Sequence, residues 1–336
     1  MKKENSFLYT ISGIACIFVV LIHAKMPGEL GNQVVILARF GVPFFFMLSG
    51  YFADPSRNGF SLDKLKRKVL HSGKLLLSTA SIYIVFHFII NGILIDDAAG
   101  YIKGLLLPSN WVKLILFNKA EFISGPLWFL LALIYTYIVY FLLRKLNGNW
   151  IYVLAPIILL SGYFGKLLSV TILDIEFLQR PYIFRNWLFF GVPMFLLGDW
   201  LRLNESRLKS ISNKLLVTML LVGIILSSVE MRYLEWLTDE RFELGIGTLL
   251  VTVALFTVAI NNCQIKMQPF YWMGKSGMSL YVYIFHMVIM ETVMFACKME
   301  FPGEGGYGMF LSGVVVVASL VVAYAITKIQ IICKKC

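Results

Sequence analysis

The sequence predicts an all-α membrane protein: one polytopic bundle of about ten transmembrane helices over residues 1–336, with both termini in the cytoplasm. Three observations carry that expectation. Hydrophobic residues make up 59% of the 336-residue chain, and the mean hydropathy of +0.77 is far above that of a soluble domain. Apolar runs close to the ~20 residues that cross a hydrocarbon core recur from end to end. Lys and Arg are divided unevenly among the connecting loops.

The predicted spans lie near 7–26, 33–53, 70–95, 124–143, 150–165, 182–202, 214–230, 244–262, 276–297 and 307–332. The fifth is the shortest. Residues 102–118 compete as an eleventh span, but Pro108, Asn110 and two lysines favour a surface or re-entrant segment. With a cytoplasmic N-terminus, nineteen of the 30 Lys/Arg fall on inner segments and ten on outer ones, and Arg39 sits within a span. Short loops rich in Lys and Arg stay inside, which sets the orientation. Much of the +11 net charge is therefore an insertion signal. With no aromatic-studded soluble module beside it, it gives no reason to expect a nucleic-acid partner.

Met1-Lys2-Lys3 before an apolar run imitates a secretion signal. The run outlasts the usual apolar region and ends in His-Ala-Lys-Met-Pro without a small-residue cleavage site, so it reads as the first span. The cysteines (Cys16, Cys263, Cys297, Cys333, Cys336) are scattered, which argues against a disulfide framework or metal site. Cys333 and Cys336 flank Lys334 and Lys335 and fit a palmitoylation site.

Chemically, the chain turns on Tyr9 to Phe52. His23 lies near the end of the first apolar segment and Arg39 enters the second, on neighbouring helices and the same side of the membrane. A charged side chain in a span costs roughly 2.5–3.5 kcal/mol on insertion scales, so such residues mark function. Eleven residues make about three helical turns, which stacks His23 over Cys16 and Ser12 with Val19 and Val20 between. That small, weakly polar stripe suits tight packing or a cavity wall, and packing alone leaves the histidine unexplained.

Loop 54–74 carries Arg57, Lys64, Lys66, Arg67, Lys68 and Lys74. They read either as a lipid-headgroup anchor or as a phosphate-binding rim for an anionic cytoplasmic ligand. Trp128 and the tyrosines of the fourth span read as interfacial or packing residues. Arg185 and Asn186 open the sixth span, where Arg185 either snorkels or faces a cavity, and Pro193 is expected to kink that span. Glu230 follows an apolar helix and is expected at the outer vestibule. In the ninth span Ser279, Tyr283 and His286 share one face, as a satisfied structural stripe or as part of a site, with Glu291 extending it outward. His71 and His87 read as interfacial or packing residues.

The blocks GIACIFVVLIHA (13–24), RFGVPFFFMLSGYF (39–52), LDKLKRK, GPLWFLLALIY (125–135), RNWLFFGVPMFLLG (185–198) and SLYVYIFH (279–286) resemble, in order, the acyltransferase-3 family of bacterial membrane acyltransferases. The resemblance implies ten helices in the bacterial cytoplasmic membrane and an acyl-CoA donor, with acetyl-CoA expected, bound from the cytoplasm. It also implies an acceptor hydroxyl on a cell-surface glycan or other extracytoplasmic molecule, and a catalytic role for His23. Members usually carry an arginine eleven residues before that histidine. Here Ser12 stands in its place, ~16 Å inward at 1.5 Å per residue, where part of the donor would be held. The second block also resembles the membrane domain of vancomycin-resistance serine racemases, which implies amino-acid uptake.

Moving an acyl group from a thioester to a hydroxyl needs a base, stabilisation of the tetrahedral intermediate and orientation of both substrates. His23 is the candidate base. Arg39, or Arg185, is the candidate for the developing negative charge. Arg185, Asn186, Glu230, Tyr283 and His286 are acceptor-binding candidates, and Lys64, Lys66, Arg67 and Ser12 are acyl-CoA-binding candidates. No metal is expected. The alternative is a membrane transport domain for a small amino acid such as L-serine, with Arg39 and Glu230 as carboxylate and ammonium partners and His23 as a pH-sensitive gate. A homodimer stays open.

Overall fold

The computed structural model describes residues 4–54, 60–93, 97–146, 148–238, 242, 244–297 and 308–333, and no strand occurs among them. Arg57, Lys334, Lys335 and Cys336 lie outside the described residues. The main helices are α1 (Ser6–His23), α2 (Gly28–Ala38), α3 (Gly41–Tyr51), α4 (Leu62–Ile93), α5 (Ala98–Leu106), α6 (Pro108–Phe117), α7 (Leu127–Lys145) and α8 (Leu154–Thr171). They continue as α9 (Val192–Leu203), α10 (Asn213–Thr238), α11 (Ile246–Asn261), α12 (Phe270–Ser276), α13 (Met278–Ala296) and α14 (Met309–Cys333). Eight helical segments are long and apolar enough to cross a membrane, so this is a multi-pass membrane protein. The predicted sixth and eighth spans fall short of that length: α9 has 12 residues and α11 has 16.

Proline explains where the spans depart from single rods. The second runs Gly28–Tyr51 and breaks at Arg39–Phe40 between α2 and α3. Pro43 has no N–H to give the Arg39 carbonyl, and its ring crowds that same oxygen. The chain tightens there, with Arg39 N–H on Ile36 O and Phe40 N–H on Leu37 O (both 3.4 Å), before Phe44 N–H resumes on Phe40 O. In the sixth span, Trp187–Gly191 forms a π turn ahead of Pro193 in α9. The segment 102–118 is no eleventh span, because Pro108 divides it between α5 and α6, of nine and ten residues. The fifth span is longer than the sequence suggests, with helix reaching Thr171.

The chain forms two compact units: Met1–Phe45 with Leu201–Cys336, and Phe46–Trp200. In the first unit α1 is the central element, packed against α2, α11, α12, α13 and α14. Leu8, Ala15, Cys16 and Val20 are wholly buried along it. Its start is fixed by Asn5, whose side-chain oxygen accepts Leu8 N–H (3.0 Å) while its amide donates to Ala259 O of α11 (3.0 Å). Gly13 and Gly274 let α1 and α12 touch backbone to backbone. A Cβ on Gly13 would stand 2.2 Å from Phe270 O, and one on Gly274 would stand 2.0 Å from Tyr9 O.

The second unit buries Phe46, Met47, Tyr51, Tyr83, Tyr140 and Phe195. Its least expected feature is Asp199 on α9, 4% exposed. One carboxylate oxygen accepts hydrogen bonds from Tyr140 (2.8 Å) and Tyr152 (2.7 Å), and Arg144 donates to the Tyr152 hydroxyl (3.3 Å). Those bonds make a buried carboxylate tolerable in an apolar helix. Lys166, also buried, is held by donating to Gln179 O (2.6 Å), which ties α8 to the following turn.

Candidate active site

The α1 stripe read from the sequence exists, and it faces α13. Ser12 Oγ meets Ser279 Oγ at 3.5 Å, the Cys16 thiol donates to Gly13 O (3.1 Å), and Ser12, Cys16, Val19 and Val20 are all buried. Below His23 the α1–α13 seam is packed protein. Ser12 belongs to that packing.

At the His23 end of the seam the packing gives way to two histidines. His23, the last residue of α1, is exposed, and its ring lies 5.1 Å centroid to centroid from that of His286, tilted by 39°. His286 is wholly buried. Its Nδ1 lies 2.7 Å from Tyr283 O and 3.2 Å from Val282 O, both in the preceding turn of α13. Its Nε2 is buried without a hydrogen-bond partner among the described residues. The Tyr283 ring stands 6.0 Å from the His286 ring, while Ser279, seven residues earlier on α13, meets Ser12.

Also in the first unit, a cavity of about 130 Å³ is lined by Lys25, two residues beyond His23, and by Glu29, Asn32, Arg39, Arg232 and Glu235, together with apolar side chains. Arg39 lines it from the break between α2 and α3. Glu29 is ion-paired to Arg232 and accepts hydrogen bonds from Gln33 (2.8 Å) and Asn32 (3.4 Å). Nothing in the local sequence marks Lys25, Glu29, Arg232 or Glu235 as a group. They come from two segments some two hundred positions apart, and no local spacing joins them.

Several other candidates have visible structural duties. Glu230 caps α11: its two oxygens accept from Ile246 N–H and Gly247 N–H, each at 2.9 Å. In the second unit, Asn186 caps the π turn, accepting from Leu188 N–H (2.8 Å) and Phe189 N–H (3.1 Å) and donating to Ile183 O (2.6 Å). Arg185 binds Glu121 (3.1 Å) and lies over the Trp128 ring at 5.4 Å. Lys64 is bonded to the buried Asp54 (2.7 Å), and Lys68 leans over Tyr137 at 5.7 Å. Lys66 and Arg67, in the first turns of α4, are exposed. No group of three or more His, Cys, Asp or Glu stands ready to hold a metal among the described residues.

Comparison with known proteins adds two findings. The family model described as an acyltransferase domain matches residues 9–328. An amino-acid racemase from Enterococcus faecalis is 31% identical over 208 residues, 58% of this chain and 27% of the racemase. The match thus spans about a quarter of that relative's length. No solved structure matches.

Proposed function

The chain belongs to the acyltransferase domain family, and from that premise we propose that it moves an acyl group, acetyl in the simplest case, from a cytoplasmic acyl-CoA to the hydroxyl of an extracytoplasmic acceptor. The observation that carries this reading is the exposed His23 set on a buried second imidazole at the mouth of the α1–α13 seam. Imidazole is the side chain best suited to take and return a proton near neutral pH.

His23 takes the proton of the acceptor hydroxyl as its oxygen bonds to the thioester carbonyl carbon. The tetrahedral intermediate then collapses, the C–S bond breaks, and the proton on His23 passes to the departing thiolate. The products are an ester and free coenzyme A. Arg39, lining the cavity that Lys25 also lines, orients the acceptor or offsets the oxyanion charge. Lys66 and Arg67 are the exposed cations suited to the donor's phosphates, where the guanidinium gives a bidentate grip. Glu230 and Asn186 act by holding helix ends, which the bonds they make support.

A second reading, transport of a small amino acid, is favoured by the mixed charge of the cavity, where Arg39, Lys25 and Arg232 face Glu29 and Glu235 in a volume of about 130 Å³. The partial likeness to an amino-acid racemase points the same way. Calorimetry on the protein in nanodiscs separates the two. Saturable acetyl-CoA binding that weakens in the Lys66→Gln/Arg67→Gln double variant supports the transferase. No acetyl-CoA binding, together with saturable serine uptake by proteoliposomes, overturns it.

A further inference from the structure

The acyltransferase reading leaves one feature of the site unused: a buried imidazole nitrogen with nothing bonded to it. The side-chain geometry fixes which nitrogen that is and what it carries. A carbonyl oxygen only accepts hydrogen bonds, so an imidazole nitrogen 2.7 Å from Tyr283 O and 3.2 Å from Val282 O must carry the hydrogen. The Nδ1–H of His286 is therefore committed to the backbone of its own helix, and Nε2 is left with its lone pair. That lone pair is sealed from solvent and has no donor among the described residues. A buried acceptor with no donor is costly, by about 1–3 kcal/mol, and such an atom in a native protein calls for a reason. Val282 and Met290, four residues either side of His286 on α13, are buried in one apolar cluster with Cys16 and Val20 of α1. The neighbouring ring that carries N–H groups is His23, 5.1 Å away.

We propose that His286 is a positioning residue for His23: its Nε2 lone pair accepts the ring N–H of His23 in the working enzyme, which fixes the tautomer of His23 and leaves its other nitrogen bare toward the acceptor hydroxyl. This rests on the proposed role of His23 as the base. The 5.1 Å between ring centroids is within reach of such a bond, and the 39° tilt leaves Nε2 without it. A rotation of the exposed His23 ring closes it, as catalytic hydrogen bonds commonly tighten when substrate is present. A base held in the wrong tautomer presents N–H where the substrate needs a lone pair, so a misassigned tautomer costs turnover more than affinity. The arrangement resembles in logic the orienting partner of other catalytic histidines, with a backbone-anchored imidazole where a carboxylate often stands. It suits a membrane-embedded site, because a neutral partner imposes no buried charge.

The test is made on the full-length protein in nanodiscs with 15N-labelled histidine, resolving four residues. At neutral pH, His286 should show hydrogen on Nδ1 and a pyridine-type Nε2, and His23 a single tautomer when coenzyme A is added as the bound probe. Kinetics supply the second readout. Gln places its amide where Nε2 stands and Asn places it near Nδ1. His286→Gln should accordingly retain turnover within about 10-fold of the parent, while His286→Asn and His286→Phe lose about 10–100-fold in kcat with KM little changed. His23 should become a tautomer mixture in the Asn and Phe variants only. A His286 with hydrogen on Nε2, or a His23 tautomer indifferent to all three variants, overturns the positioning role even if His23 proves to be the base. Conversely, an active His23→Ala variant removes the base assignment while leaving the His286 tautomer intact. Folding of each variant is checked by its thermal transition and elution profile, so loss of structure is not mistaken for loss of positioning.

Discussion

At the scale of single residues, the sequence marked His23, and the structure adds bonding partners that the sequence could not show for several of the polar candidates. His23 was legible because an ionisable group near the end of an apolar run stands out against its surroundings. Its contact with His286 was not, since the two lie 263 positions apart and only the α1–α13 packing joins them. Glu230 shows the same limit. Its position after an apolar helix suggested a vestibule, whereas both its oxygens are engaged by the first N–H groups of α11. Glu230→Gln should lower stability by about 1 kcal/mol, the usual scale for a helix cap, with little change in acceptor KM. Thermal unfolding alongside Michaelis kinetics checks both halves of that statement. A large rise in KM at unchanged stability would return Glu230 to the acceptor site.

Outside the spans, Glu4 and Lys275 form an ion pair at 2.7 Å, and the Tyr271 hydroxyl donates to the same carboxylate. The hydrogen bond from Lys275 holds the Glu4 carboxyl below its usual range, and the bond to Glu4 holds Lys275 above its own. A depressed carboxylate stabilises above the unfolded value of about 4.3 and loses that contribution as pH falls through the folded value. A raised lysine stabilises below about 10.4 and loses its share as pH climbs through the folded value. Both groups are largely exposed, so the pair is worth only a few tenths of a kcal/mol at most. Glu4→Gln should lower the thermal transition slightly at neutral pH, and the difference should vanish in acid below the carboxylate range. A difference that persists there would assign the stabilisation to packing.

At the scale of elements, helical periodicity made the α1 stripe readable, because residues spaced by whole turns share a face. Periodicity could not say whether that face meets a cavity or a neighbour. Two small stripes, Ser12–Cys16 and Ser279–Val282, closed on one another. The breaks in the second and sixth spans were written in the sequence as Pro43 and Pro193, yet hydropathy averages over such interruptions and returns single runs. The α1–α12 contact depends on two glycines that meet each other's helix backbone. Gly13→Val would push a side chain onto Phe270 O, a backbone atom that cannot swing aside. The expected cost is at least the 1–3 kcal/mol typical of overpacking, seen as a lower thermal transition in detergent. Retention of parental stability would show that α1 and α12 can separate without loss. Pro43→Ala tests the break from the other side. It should leave stability equal or higher while raising acceptor KM, since a straightened span re-aims Arg39 away from its cavity.

For the whole molecule, composition alone was enough to predict a multi-pass helical protein, since no soluble core absorbs so apolar a chain. Orientation rests on charge, and two cysteines report on it. The loop charges predict ten crossings from a cytoplasmic N-terminus, and on that prediction Cys263, after α11, is inside and Cys297, after α13, is outside; both are solvent-accessible to some degree. A membrane-impermeant maleimide applied to intact cells should label Cys297 and spare Cys263 until the membrane is opened. The reverse pattern would invert the bundle and place His23 on the cytoplasmic side. The central claim is that a histidine at the end of α1 passes a proton from acceptor to departing thiolate. It is tested most directly by counting labelled acetyl groups that leave acetyl-CoA for acceptor in proteoliposomes, with parent and His23→Ala protein at matched abundance. The expected result is transfer by the parent and a loss of about 10²–10⁴-fold in the variant, the usual contribution of a positioned base. Equal transfer by the two proteins would contradict it.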